Sequence, residues 1–132
     1  MNTSDQEIIE NFSLFTSWEE KYEYIIDLGR EMKPIKDEFK KDKYLIHGCQ
    51  SKVWLYCEKR DEKLYFYGDS DALITKGIVA IIIKLYSGLT KKEIKNQNNN
   101  IFDKIELREH LSMPRANGLN LMLKKIKNFA IE

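Results

Sequence analysis

Apolar positions along the chain follow two periods, and the switch between them predicts the fold. Ser4-Asp5-Gln6-Glu7 reads as a capping box ahead of Ile8, Ile9 and Phe12, and Thr16-Ser17-Trp18-Glu19-Glu20 holds two overlapping boxes. Trp18, Tyr22, Ile25, Ile26 and Gly29 then recur at helical spacing. Residues 33–43 are charged, carry Pro34 and keep no period, which predicts a surface connection. Tyr44-Leu45-Ile46 predicts a short strand. After an interruption at 47–52 the period becomes two: Val53, Leu55 and Cys57 share one face, Trp54, Tyr56 and Glu58 the other. Arg60-Asp61-Glu62-Lys63 is a polar turn and Leu64-Tyr65-Phe66-Tyr67 alternates again, so this stretch is a hairpin.

Gly68-Asp69-Ser70-Asp71 predicts the cap of a long helix over 72–86, with two acids at the positive end of its dipole. That helix is apolar nearly all round (Ile74, Ile78, Val79, Ile81, Ile82, Leu85), the pattern of a central, buried element. Gly88 ends it, and Thr90-Lys91-Lys92-Glu93 opens a short helix with another capping box. Residues 96–100 form a polar loop, followed by a short helix around 102–107. Ser112 caps the last helix, which tolerates Pro114 in its first turn and carries Leu119, Met122, Leu123, Ile126 and Phe129 as its stripe. The order predicts an α+β fold: about three antiparallel strands packed with N- and C-terminal helices, in one domain over 1–132.

Composition narrows the function. A chain of 132 residues is long enough to close a core. Lys and Arg total 22 against 21 Asp and Glu, a formal charge of +1, so there is no basic footprint for nucleic acid or an acidic membrane. The longest apolar stretch, 77–83, is too short to span a bilayer, and the polar, acidic start is unlike a targeting peptide. Two cysteines exclude a disulfide framework or a thiolate zinc site, and reduced thiols suit the cytosol. The expectation is a soluble, cytoplasmic protein without metal, membrane or nucleic acid.

The candidate chemistry lies in the interruption. In Ile46-His47-Gly48-Cys49-Gln50-Ser51 the cysteine sits in a glycine-bounded loop, not in an apolar repeat. Gly48 can sharpen a turn there, and a thiol presented at a turn is open to use as a nucleophile or to a bystander role. Cys57 shares a strand face with Val53 and Leu55 and reads as a buried structural thiol. His47 is two residues from Cys49, but a glycine turn does not assure that the two side chains meet, so it is a weak base candidate. His110 reads as a helix-end or surface residue. Trp54, Tyr56, Tyr65 and Tyr67 form an aromatic strand face, read as packing surface.

Several separated segments resemble one family in order and spacing. They are Phe12, Trp18-Glu19-Glu20-Lys21-Tyr22, Ile26-Asp27-Leu28-Gly29, Gly48-Cys49-Gln50-Ser51-Lys52-Val53-Trp54, Gly68-Asp69-Ser70-Asp71-Ala72, Lys76-Gly77 and Arg115-Ala116-Asn117-Gly118-Leu119. Together, from about Phe12 to Met122, they resemble the SufE family of sulfur-acceptor proteins, whose general architecture is shared with IscU. One departure is that Ser112-Met113-Pro114-Arg115 places proline one residue later than the family pattern.

The resemblance implies a transpersulfidation. A pyridoxal-phosphate cysteine desulfurase of SufS type would hold sulfur as a persulfide, and Cys49 would take it and pass it to an Fe–S scaffold complex of SufBCD type. This chain would need no resident cofactor, only a transient cysteine persulfide, and would activate the desulfurase without being a stand-alone enzyme. Gly48 and Gln50 would support Cys49. Asp71 would hold the loop at rest, a role compatible with a helix-cap reading, while Arg115 is either a solvated first-turn residue or part of the desulfurase-docking face. Oligomeric state stays open between monomer and homodimer. The alternative of an IscU-type cluster scaffold needs several converging thiolates, and a cysteine hydrolase needs a base and an orienting carboxylate.

Overall fold

A computed structural model describes residues 3–97 and 100–132. Helix α1 (Thr3–Ser13) and helix α2 (Trp18–Glu31) come first, followed by two short 3₁₀ turns at Asp37–Phe39 and Asp42–Tyr44. A hairpin of β1 (Val53–Arg60) and β2 (Lys63–Ser70) leads into α3 (Leu73–Tyr86). Strand β3 (Leu89–Thr90), α4 (Lys91–Asn96), α5 (Ile101–Lys104), a 3₁₀ turn at Arg108–His110 and α6 (Met113–Ile131) complete the described chain. The fold is α+β, with a three-stranded antiparallel sheet of order β1-β2-β3.

The capping signals hold in three of five places. Ser17 accepts a hydrogen bond from the Glu20 N–H, Thr90 and Glu93 form a reciprocal box, and Ser112 accepts from the Arg115 N–H with proline near the helix start. At the N-terminus the helix already runs at Thr3, so Ser4 lies inside it. The polar tract predicted at 96–100 falls partly outside the described residues.

Two strand expectations are corrected. Tyr44-Leu45-Ile46 contributes a single bridge, Leu45 with Trp54, because Tyr44 is drawn into a 3₁₀ turn. The third strand is instead Leu89–Thr90, which pairs with Leu64 and Lys63. Gly68-Asp69-Ser70 does not cap α3 either. It continues β2, since β1 offers partners all the way to Val53 opposite Ser70, and Ala72 occupies the cap position of α3 without a side-chain bond. The hairpin turn places Asp61 and Glu62 at φ of 51° and 69°, the two-residue reversal whose twist matches the strands.

The core lies between the inner sheet face and the helices. Val53, Leu55, Leu64 and Phe66 meet Ile78, Val79, Ile82 and Leu85 of α3, with Ile8, Phe12, Ile25, Leu119, Met122 and Ile126 closing the layer. Gly68 on that face allows the approach of α3, because a Cβ there would stand 2.7 Å from the Trp54 carbonyl and 3.0 Å from Val79. The outer face is covered as well. Phe39 stacks on Tyr56 at 4.1 Å, Tyr56 stacks on Tyr67 at 5.0 Å, and Ile35 is buried. Residues 33–43, expected as a surface connection, thus form with Tyr44 the lid on the aromatic strand face, which is the packing surface expected of it.

Candidate functional site

The loop that carries Cys49 is closed at its base. The Ile46 N–H donates to the Val53 carbonyl at 2.8 Å, and the Leu45–Trp54 bridge lies just outside it, leaving residues 47–52 as the excursion. Its exit is held at Lys52. The Lys52 N–H donates to the Asp71 carboxylate at 3.0 Å, while the Lys52 carbonyl accepts from the Ser70 hydroxyl at 2.7 Å and the Asp71 N–H at 3.3 Å. Asp71 therefore ties the end of β2 to the end of the loop and does not cap a helix. A backbone amide bonded to a carboxylate is a charge-assisted contact.

Asp69, two residues earlier, buttresses the same corner from below. Its carboxylate is 5% exposed and sits 3.4 Å from both Lys40 and Lys76, with the Ser70 N–H donating to it at 2.8 Å. Two ammonium groups and an amide offset the cost of burying that charge. Lys40 also lies over the Trp54 ring, so the pair pins the 33–44 lid to the loop end of the hairpin. Sequence reading missed Asp69 and Lys76 as a unit. A seven-residue spacing across a strand–helix junction carries no local signature, and only the fold brings the two together.

The loop tip leans on α6. Gly48 has φ of +98°, a conformation that calls for glycine, and a Cβ there would press on the tip of the Leu121 side chain at 3.1 Å. The Cys49 sulfur faces Gly118, where a Cβ would be 3.6 Å away. Cys49 is half-buried and packs against the core, whereas His47 and Gln50 are exposed. Burial pushes the Cys49 thiol above its ordinary pKa. A crevice of about 10 Å³ opens beside the sulfur, near the smallest void that holds one water-sized atom. Its walls are Pro114, Arg115, Gly118 and Met122 of α6 and Thr75 of α3. Arg115 is exposed at its mouth.

Thus the structure brings Cys49, Gln50 and Arg115 to one crevice, sets Gly48 against Leu121 and places Asp71 at the loop's anchor, while His47 makes no hydrogen bond or ion pair with a described residue. His110 stacks on Trp18 at 3.8 Å and its carbonyl accepts from the Tyr22 hydroxyl, so it joins α2 to the turn before α6. Cys57 points to the inner face as expected but is only half-buried. Beyond Leu55 the strand runs past the edge of the core, and the thiol lines a groove of about 300 Å³ with Phe39, Tyr44, Lys125 and Phe129. The two cysteines open onto different cavities, and among the described residues no three His, Cys, Asp or Glu side chains converge.

A carboxylate that anchors the loop should govern access to the thiol. Asp71→Arg is expected to speed alkylation of Cys49 at neutral pH about fivefold, the effect of losing one net hydrogen bond. Because burial raises the thiol pKa, the wild-type rate should be low at neutral pH and climb only above the range of a free thiol, and the variant's profile should shift toward lower pH. Iodoacetamide kinetics across pH, read by intact mass, measure both. An unchanged rate in a folded variant removes Asp71 from loop control.

The fold and this cysteine loop define a class, an α+β domain that presents one half-buried thiol on a clamped turn. A family model described as an Fe-S metabolism associated domain, SufE, matches residues 6–130, and the chain belongs to the SufE family. It is 42% identical over 124 residues to a cysteine desulfuration protein SufE of Wigglesworthia glossinidia brevipalpis, covering 92% of this chain and 86% of that protein. It is 39% identical over 133 residues to an uncharacterised SufE-like protein of Rhizobium meliloti (strain 1021), covering 97% and 95% of the two. A solution structure of a hypothetical protein from Thermus thermophilus shares the fold at a TM-score of 0.78 and 14% identity, over 97% of this chain and 93% of that one. Among the described residues no helix is long and apolar enough to cross a membrane.

Proposed function

We propose that the protein accepts sulfur on Cys49 from a cysteine desulfurase and hands it to an Fe–S cluster scaffold. The observation that carries this reading is the setting of Cys49: a thiol on a clamped, glycine-shaped loop, beside a crevice too small for a metabolite. The crevice this thiol lines is no substrate pocket. The thiol's reaction partner must arrive on another protein's surface.

The chemistry follows thiol–disulfide exchange. The Cys49 thiolate attacks the terminal sulfur of the partner's cysteine persulfide. One S–S bond forms, on Cys49, and one breaks, releasing the partner's cysteine as thiolate, with no net oxidation or reduction. Burial holds the thiol toward its protonated form, so lifting the loop from α6 favours ionisation and couples reactivity to docking. At rest the same packing shields a carried sulfur from cellular thiols. The reaction asks for no metal and no resident cofactor on this chain. The separation of Cys49 from Cys57 favours this over a cluster scaffold, which needs thiolates that converge.

The test is a desulfurase assay with and without this protein, followed by intact-mass analysis for one added sulfur atom at Cys49. No stimulation and no added mass would sink the reading.

The docking surface surrounds the crevice. Arg115 supplies a charged rim, and Met113 and Leu73, exposed at 81% and 58%, lie in the first turns of the two helices that wall it. Apolar side chains bared beside a reactive group suit a protein interface, and a rim charge mainly tunes association rate. Arg115→Ala is expected to raise severalfold the concentration needed for half-maximal desulfurase stimulation while leaving sulfur acceptance intact at saturation. Titrating stimulation against protein concentration checks this, and an unshifted curve would make Arg115 a solvated helix residue.

A further inference from the structure

Thr75 carries a hydroxyl that no described residue uses. It lies in the first turn of α3, is only 7% exposed, and makes no side-chain hydrogen bond to a described residue. Around it α3 is apolar, with Ile74, Ile78 and Val79, and valine would fill the same volume with no polar atom to satisfy. Its oxygen is not among the polar atoms sealed without a partner, so a hydroxyl unused by the protein here keeps an opening. This one opens into the crevice it shares with Cys49, Gly118 and Met122.

The crevice has room for about one atom of water size, about 10 Å³. In the thiol form the Cys49 sulfur makes no hydrogen bond with Thr75. Adding one sulfur to Cys49 extends the side chain by a bond of about 2 Å, toward a crevice with room for about one atom. We propose that Thr75 donates a hydrogen bond to the terminal sulfur of the Cys49 persulfide, holding it in the crevice between α3 and α6. The terminal sulfur of a persulfide anion accepts a charge-assisted bond. The first turns of α3 and α6, both facing the void, add the positive ends of two helix dipoles. Thr75 is thus a residue that touches the carried atom, and the inference rests on the reading of Cys49 as sulfur acceptor.

The experiment uses the full chain with Cys57→Ala, so that one thiol reports, and compares Thr75, Thr75→Val and Thr75→Ser. Cys49 is first converted to its mixed disulfide with pyridinethiol. Sulfide then attacks the Cys49 sulfur, forming the persulfide S–S bond and expelling pyridinethiolate. Loss of the added sulfur to glutathione is followed by intact mass, and alkylation of the unloaded thiol is measured in parallel. Thr75→Val should lose sulfur about fivefold faster, the worth of one net hydrogen bond, with Thr75→Ser close to wild type and unloaded alkylation equal in all three. Equal sulfur lifetimes in Thr75→Val and wild type would overturn the inference. So would a common acceleration of the loaded and unloaded reactions, which marks a loosened loop. Because loading is chemical, a desulfurase that fails to load the wild-type protein would overturn the carrier reading and leave these lifetimes unaltered.

Discussion

Cys49→Ser is expected to abolish sulfur acceptance completely while leaving the unfolding midpoint within experimental error of wild type. The hydroxyl is a far poorer nucleophile than a thiolate toward sulfane sulfur, and a serine persulfide has no counterpart. The side chain sits on a loop whose closure depends on backbone and Asp71 bonds, not on the sulfur. Cys57→Ala should behave in the opposite way. It keeps full acceptance and loses about 1 kcal/mol or less, because only half of that side chain is covered. Intact-mass analysis after incubation with desulfurase and cysteine, set beside urea unfolding, reads both variants. Failure of Cys57→Ala to take up sulfur in a folded protein would refute a one-cysteine mechanism.

The largest effect on stability is expected at Gly77. There α2 and α3 cross so closely that a Cβ on Gly77 would lie 2.1 Å from the Ile25 carbonyl oxygen and 2.6 Å from its carbon. On the facing helix, a Cβ on Gly29 would lie 2.8 Å from the Gly77 nitrogen. These obstacles are backbone atoms, which no rotamer change can clear, so the helices must move apart and unpack Ile25, Ile78 and Ile81. Alanine gains about 1 kcal/mol in helix propensity over glycine, far less than the cost of prying apart a close-packed pair, about 3 kcal/mol or more. For a domain with a typical stability of roughly 5–15 kcal/mol this is a large fraction of the total. Urea unfolding of Gly77→Ala checks the prediction, and a midpoint equal to that of wild type would mean that the crossing is looser than the backbone distances imply. Gly29→Ala, with its nearest contact longer, should cost less.

Local signals carried most of the element assignments. Ser17, Thr90 and Ser112 cap helices because the side-chain oxygen and the amide it satisfies are three residues apart, a relation written in the chain itself. The same holds for the alternation of Val53, Leu55 and Cys57 and for the apolar body of α3. Where a local signal competed with pairing, pairing won. Gly68-Asp69-Ser70-Asp71 has the composition of a cap, yet strand bonds to Val53, Trp54 and Leu55 satisfy more backbone groups than a cap could. Tyr44 was lost to a 3₁₀ turn because its ring packs with Phe39 and Tyr56 over the sheet.

By itself the sequence determined that a nucleophile candidate lies in a loop between strand-forming runs, and its segments match one family in order and spacing. Glycine freedom, capping and side-chain period are properties of neighbouring residues, so they survive without a fold. Only the tertiary structure decided the state of that nucleophile. Cys49 is half-buried because Gly118 and Leu121 of α6, far along the chain, come up under the loop. The Asp71 tether, the Asp69 buttress between Lys40 and Lys76, and the crevice shared by Thr75 and Cys49 likewise join residues that no local pattern pairs. Burial and hydrogen-bond satisfaction depend on what the folded chain places opposite each group. No periodicity along the chain encodes that opposing surface.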